Sequence, residues 1–204
     1  MGDRQTGMLL VISGPAGSGK GTLIERLRAW DDSFTFSVSC TTRARRYYET
    51  DGKDYYFVDD ATFDRYIQEN AFLEYATVHD HRYGTLLSEV ESRLEEGRNV
   101  VLDIDVQGGI AVMQKVKTCV SVFIYPPSFE DLLEHLHNRH SEDEEEIRKR
   151  IRNAHREIEQ MDAYQYLLLN DVVDSAAERL KCIVTAEKMR SVRFHPVVPE
   201  TRES

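Results

Sequence analysis

One stretch constrains this chain more than any other. The apolar run Met8–Ser13, MLLVIS, leads into Gly14–Thr22, GPAGSGKGT, and then into LIERLRAW, whose apolar residues recur at helical spacing. Gly14 and Gly19-Lys20 fit the phosphate-binding pattern G-x-x-x-x-G-K-[ST] except at its last position, where Gly21 stands and Thr22 follows. A buried strand, a glycine-rich turn and a helix in that order aim backbone N–H groups and the positive helix end at one spot. Gly14, Pro15, Ala16, Gly17, Ser18, Gly19, Lys20, Gly21 and Thr22 are therefore expected to cradle phosphates, with Lys20 reaching the outer ones. The plain alternative is a glycine-rich turn without a ligand, and strand, lysine and helix together weigh against it. The loop implies a nucleotide and leaves the reaction open.

Beyond the loop, strand-like and helical runs alternate. FTFSVS, FLEYATV, NVVLDID, CVSVFIY and YLLLND read as strands. ATFDRYIQEN reads as a helix capped by Asp60, LLSEVESRLEEG as a helix stopped by Gly97, and Val173 to Met189 as a closing helix. The β-branched content of NVVLDID and CVSVFIY suits buried parallel strands. The alternation predicts an α/β fold, a doubly wound parallel sheet with helices on both faces. Two regions interrupt it, leaving 1–36, 89–127 and 163–204 as the core. Residues 37–88 hold mixed strands, and 128–162 read as two helices joined by NRHSEDEEE. The acidic run Glu142–Glu146 reads as a helix first turn capped by Ser141 rather than as a metal site.

Composition removes several function classes. The 204 residues suit one α/β domain with inserted subdomains, or at most two small domains, and a formal net charge of −10 opposes a long nucleic acid as partner. Cys40, Cys119 and Cys182 show no C-x-x-C spacing and are odd in number; Cys119 and Cys182 lie in apolar patterns and are expected in the core. No apolar run approaches a membrane span. A cytoplasmic enzyme without a membrane or nucleic-acid partner is expected, its oligomeric state left open.

Four further segments narrow the reaction: SVSCTTRARRYYETDGKDYYFV from Ser37 to Val58, FLEYATVHDHRYGT, VVLDIDVQG and IYPPSFEDL, with LLLND following. In one order from about Leu9 to Arg190, and together with GPAGSGKGT, they resemble guanylate kinase, a nucleoside monophosphate kinase family. The resemblance implies a core built on the phosphate-binding loop (P-loop), a mixed α/β GMP-binding insertion over 37–88 and a helical lid over 128–162. It also implies Mg2+-dependent transfer of a phosphoryl group from ATP to GMP or dGMP.

Several residues fit that chemistry. Arg43 and Arg46 can fork onto a phosphate through paired N–H groups, and Tyr55 and Tyr83 can donate to it. Read alone, the arginines would be a solvated basic turn; the resemblance places all four around the GMP phosphate, with Arg43 also catalytic. Guanine offers adjacent donors, N1–H and the 2-amino group, for which a carboxylate is the complementary double acceptor. Glu74 matches the base-reading glutamate, Thr85 a donor to guanine O6 and Ser39 another base-side position. Asp103 and Asp105 end a strand beside the loop. The resemblance gives the pair to the GMP pocket and the magnesium shell without dividing the two roles between them; Asp103 is taken as the metal-side candidate, with Thr22 standing in for the Ser or Thr that Gly21 replaces. Arg139 and Arg150 match lid arginines that act on the transferred phosphate, and Arg139 also binds ATP. His135 stands where a third arginine is usual and His140 where glycine is common; His135, His137 and His140 do not share one helical face as a zinc site would need. Asn170 and Asp171 match a loop near the adenine of ATP. The rivals are a catalytically inactive, protein-binding guanylate-kinase-like module and a kinase for another base. Lys20 together with the complete set of GMP-site residues opposes the first, and Glu74 with Thr85 opposes the second.

Overall fold

The computed structural model describes residues 4–78, 81–128 and 144–195. In chain order its elements begin β1 (Arg4–Gln5), β2 (Leu9–Ser13), α1 (Lys20–Trp30), β3 (Phe34–Phe36), β4 (Ser39–Thr41), β5 (Tyr56–Phe57) and α2 (Asp60–Gln68). Then come β6 (Phe72–Val78), β7 (His81–Leu86), α3 (Leu87–Glu95), β8 (Asn99–Asp103), α4 (Val106–Lys115) and β9 (Val120–Tyr125). Helix α5 (Glu144–Ile158), a 3-10 turn (Met161–Ala163), β10 (Tyr166–Leu169), α6 (Val173–Lys188) and β11 (Phe194–His195) complete them.

Five of these strands form one parallel sheet in the order β10-β9-β2-β8-β3. Its central strands are apolar on both faces because helices cover both. On one face Leu10, Ile12, Val122 and Ile124 pack with Leu23, Ile24 and Leu27 of α1 and Ala176, Leu180 and Val184 of α6. On the other, Leu9, Val11 and Phe123 pack with Val90 of α3 and Val112 of α4. This is the doubly wound sheet the alternation predicts. Asp103 ends its strand, and the phosphate loop and Asn170 follow theirs, so all three lie at the carboxyl edge where open α/β sheets bind ligands.

A second, four-stranded sheet, β5-β4-β7-β6, lies within the 37–88 region. Strands β4 and β5 pair in parallel, and the others are antiparallel. Its small core is Cys40, Phe63 and Phe72. β1 and β11 pair as a separate ribbon.

The structure corrects several readings. FTFSVS is not one strand: Phe34–Phe36 pairs with β8 and Ser39–Thr41 with β7, so the chain leaves one sheet for the other between them. Asp59, not Asp60, caps α2; its extended backbone lets its carboxylate accept from Thr62 N. Helix α4 was not anticipated, because Gly108 and Gly109 lower helix propensity over VQGGIAVMQK. The Asp105 cap and close packing offset that cost: a Cβ at Gly109 would sit 2.3 Å from the Tyr164 hydroxyl. Cys119 is buried but Cys182 is exposed, since it falls off the Ala176–Leu180–Val184 stripe that α6 buries. The first helix of the 128–162 region, Ser141, Glu142, Asp143, His135, His137 and His140 lie outside the described residues, and Glu144 begins α5.

Candidate active site

The phosphate loop is built by the backbone. Gly14 has φ +146, and a Cβ there would meet the Ile124 carbonyl oxygen at 2.3 Å, so no larger residue fits where the loop leaves β2. Gly19 opens α1 in the left-handed region, φ +82, without a side-chain cap. The first N–H groups of α1 are therefore not taken up by a capping side chain, the arrangement that suits an anion. Lys20 Nζ donates to Gly14 O at 2.6 Å and Pro15 O at 3.1 Å, which holds the lysine over the loop. Burial pushes the Lys20 ammonium below its ordinary range, and the charges of Asp103, Glu157 and Asp105 push back. Asn170 closes the loop from β10: its Nδ2 donates to Ser18 O at 2.8 Å and lies where a Gly19 side chain would be. Its Oδ1 and the Ser18 hydroxyl are buried without a hydrogen-bond partner among the described residues. Asp171 is engaged elsewhere. It pairs with Arg179 at 2.9 Å, which brings its carboxyl down to about 2.

The second constellation is built by side chains from separate segments. A cavity of about 330 Å³ is lined by Ser39, Lys53, Asp54, Tyr55, Thr85 and Asp103, among others. Arg43 lies 5.5 Å from the Tyr55 ring centre, and the Tyr55 and Tyr83 rings meet edge-on at 5.9 Å. Three of the four phosphate-side residues expected from the sequence thus converge. The fourth, Arg46, comes from the same turn and donates through Nη1 to the Tyr48 hydroxyl at 2.9 Å. What holds Arg43 is a residue the sequence reading passed over. Glu49 accepts from Arg43 Nη2 at 2.7 Å and Nη1 at 3.1 Å, and from Arg46 N at 2.8 Å. The spacing of these charges in RARRYYE was the available signal, but a carboxylate three to six residues from an arginine is common on solvated turns.

Glu74 is 7% exposed, not the surface strand residue that its place in FLEYATV allows. Burial pushes its carboxyl up, while the Thr85 hydroxyl, donating to Oε1 at 2.7 Å, pulls it down. Thr85, expected to donate to the base, here spends that proton on Glu74. The two strand-end carboxylates differ. Asp105 caps α4, accepting from Gln107 N at 2.8 Å and Gly108 N at 3.1 Å. Asp103 keeps surface open to solvent; the protein around it still pushes its carboxyl up, and Lys20 draws it back. Thr22 stands exposed in the first turn of α1.

Glu157 of α5 also went unread. Burial pushes its carboxyl up to about 7, Lys20 opposing and Asp105 adding to the shift. Arg150 lies in the same helix, and Arg139 lies outside the described residues. Among the described residues no group of three or more His, Cys, Asp or Glu is arranged to hold a metal alone, and no helix is long and apolar enough to cross a membrane.

Comparison with known proteins bears on this geometry. Residues 6–187 match the family model described as guanylate kinase. The chain is 44% identical over 203 residues to a guanylate kinase of Caldanaerobacter subterraneus subsp. tengcongensis, covering 100% of this chain and 98% of that protein. It is 43% identical over 187 residues to one of Thermotoga maritima, covering 92% and 90%. The crystal structure of guanylate kinase from Anaplasma phagocytophilum superposes with a TM-score of 0.73 at 33% identity, covering 94% of this chain and 92% of that one.

Proposed function

The chain belongs to the guanylate kinase family, and from that premise we propose how its residues divide the transfer of a phosphoryl group from ATP to GMP. It is an ATP:GMP phosphotransferase. Such a reaction asks the protein for alignment and charge stabilisation rather than for a side-chain nucleophile.

The Gly14–Thr22 loop holds the donor phosphates on its N–H groups. Lys20 exchanges the Gly14 and Pro15 carbonyls for phosphate oxygens and stabilises charge as it develops. Asn170 keeps the loop in shape, and with Asp171 it borders the adenine side. Arg43, pinned by Glu49 on one edge of its guanidinium, offers its remaining N–H groups to the acceptor phosphate together with Arg46, Tyr55 and Tyr83. Glu74 accepts from guanine N1–H and the 2-amino group; Thr85, Ser39 and Asp105 line the rest of the base side. Arg139 and Arg150 reach the moving phosphoryl when 128–162 closes as a lid over the core, which also excludes water. In this division 37–88 is the acceptor insertion, although its sheet ends at Leu86 and α3 straddles its boundary.

The Thr22 hydroxyl and the Asp103 carboxylate are hard oxygen donors. They fit Mg2+, which takes one or two protein ligands and completes its shell with water and phosphates. Once bound there, the ion neutralises charge on the transferring phosphates. The reading places the enzyme in the cytoplasm, where free Cys40, Cys119 and Cys182 are at home.

The observation that carries this reading is one cavity whose wall runs from Tyr55 and Thr85 to Asp103, the carboxylate whose charge acts on Lys20. A coupled assay of ADP release with GMP, AMP, CMP and UMP tests it. GMP should be used at least about a hundredfold better than the others, the discrimination a hydrogen-bonded site reaches over bases that leave its groups unpaired. Equal use of two bases, or ADP release with none, would overturn it.

A further inference from the structure

Helix α4 reaches the strand that carries Glu74 from the core side. Along β6 and β7 the pairing steps from Phe72↔Leu86 directly to Glu74↔Thr85, so Leu73 is an extra residue and the ladder is interrupted just before the base-side carboxylate. An interrupted ladder leaves carbonyls in need of other donors. Lys115, the last residue of α4, supplies them: its Nζ donates to Leu73 O at 2.7 Å and Phe72 O at 3.1 Å. The Leu73 side chain is buried in the core packed against α4 and fixes the same residue from its other end. One turn into α4, Gly108 leaves room for the carboxylate, since a Cβ there would lie 3.0 Å from Glu74 Oε2.

We propose that Lys115 is a positioning residue for base selectivity: it locks the bulge at Leu73 so that the Glu74 carboxylate is held against the guanine pocket. This rests on Glu74 reading guanine. A one-residue slip in a strand turns side chains to the opposite face, so a bulge before the reading residue must be held by something other than the ladder. An ammonium with three donors bonds two carbonyls at once, and its charge also favours the ionised, doubly accepting form of Glu74.

The test compares kcat/KM for GMP and for inosine monophosphate, which keeps N1–H but lacks the 2-amino group. It uses wild type, Lys115→Met, Lys115→Arg and Glu74→Gln at saturating ATP and Mg2+, with KM for ATP and Tm measured alongside. Lys115→Met should lower the GMP preference about tenfold, the loss expected when a hydrogen-bonding carboxylate is misplaced. The change should appear in KM for GMP, with KM for ATP within about twofold of wild type, and Lys115→Arg should recover most of it. If Lys115→Met does not fold, Lys115→Gln, which keeps amide N–H donors on a shorter, uncharged side chain, carries the same readout. A lower Tm with an unchanged preference would make Lys115 a structural prop and overturn the proposal. If Glu74→Gln collapses the preference while the Lys115 variants do not, only this inference fails; if Glu74→Gln leaves it intact, the guanine-reading role of Glu74 fails first.

Discussion

The glycine loop and the cavity proposed for the acceptor meet at Asp103 but are built on opposite principles. Nine consecutive residues make the loop, and most of its chemistry is backbone: glycine conformations at Gly14 and Gly19, and an open helix end. The cavity is lined by Ser39 and Thr85 of one sheet, Asp103 of the other and Tyr55 from the segment before β5, and Glu74 accepts from Thr85 beside it, so its chemistry is side-chain chemistry. Backbone sites fail when a residue cannot adopt the shape; side-chain sites fail when a partner is lost. The loop should therefore be sensitive to added atoms and the pocket to exchanged ones.

Lys20 is the loop's one cationic side chain. Lys20→Met should lower kcat at least about a hundredfold, as loss of one transition-state stabiliser does, with little change in GMP binding. Steady-state rates with both substrates saturating measure it; near-normal turnover would remove Lys20 from the reaction.

Within the loop, glycine positions should divide sharply. Gly14→Ala sets a Cβ against the Ile124 carbonyl at a positive φ and should cost about 3 kcal/mol or more. A Cβ at Gly21 meets nothing within 4 Å, and alanine there should be neutral or stabilise by up to about 1 kcal/mol. Denaturant unfolding of both variants reads the contrast, and equal losses would break it.

In the pocket, Glu74→Gln keeps shape and exchanges an acceptor for a donor. GMP and dGMP should lose kcat/KM together, by about tenfold or more, because one guanine hydrogen then faces an N–H. An unchanged GMP value would take Glu74 out of the site.

The smallest effect concerns Glu157 of α5, whose carboxyl interacts with the charge of Lys20. Its folded carboxyl is pushed up to about 7 from an ordinary value of 4.5, so the folded state holds the proton more tightly. The stability this gives is present below the ordinary value and is lost as pH rises through the window up to about 7. Glu157→Gln should raise Tm at pH 8 by about 2–4 °C, roughly 1 kcal/mol for a chain this size, and change it little at pH 5. A drop at pH 8 would mean that attraction to Lys20 outweighs burial.

The same contrast explains what could be read in advance. The loop and the parallel sheet were legible because each is a local pattern: glycines at fixed offsets, apolar β-branched runs between amphipathic helices. The convergence of Arg43, Tyr55 and Tyr83 and the burial of Glu74 were foreseeable only through the resemblance, since nothing local separates Glu74 from an exposed strand residue or Arg43 from a basic turn. Lys115 and Glu157 were missed because their surroundings come from distant segments; Lys115 meets carbonyls 42 and 43 residues away. Glu49 was missed although its partners are local, because such charge spacing is common on solvated turns. Helix α4 was hidden by its glycines, which lower propensity but admit the close packing that holds it.

The most direct measurement is calorimetric GMP binding to Lys20→Met and Glu74→Gln beside wild type. Two differently built half-sites predict that Lys20→Met binds GMP within about threefold of wild type although turnover is lost, whereas Glu74→Gln weakens GMP binding about tenfold or more. GMP binding lost in Lys20→Met, or intact in Glu74→Gln, would contradict the account.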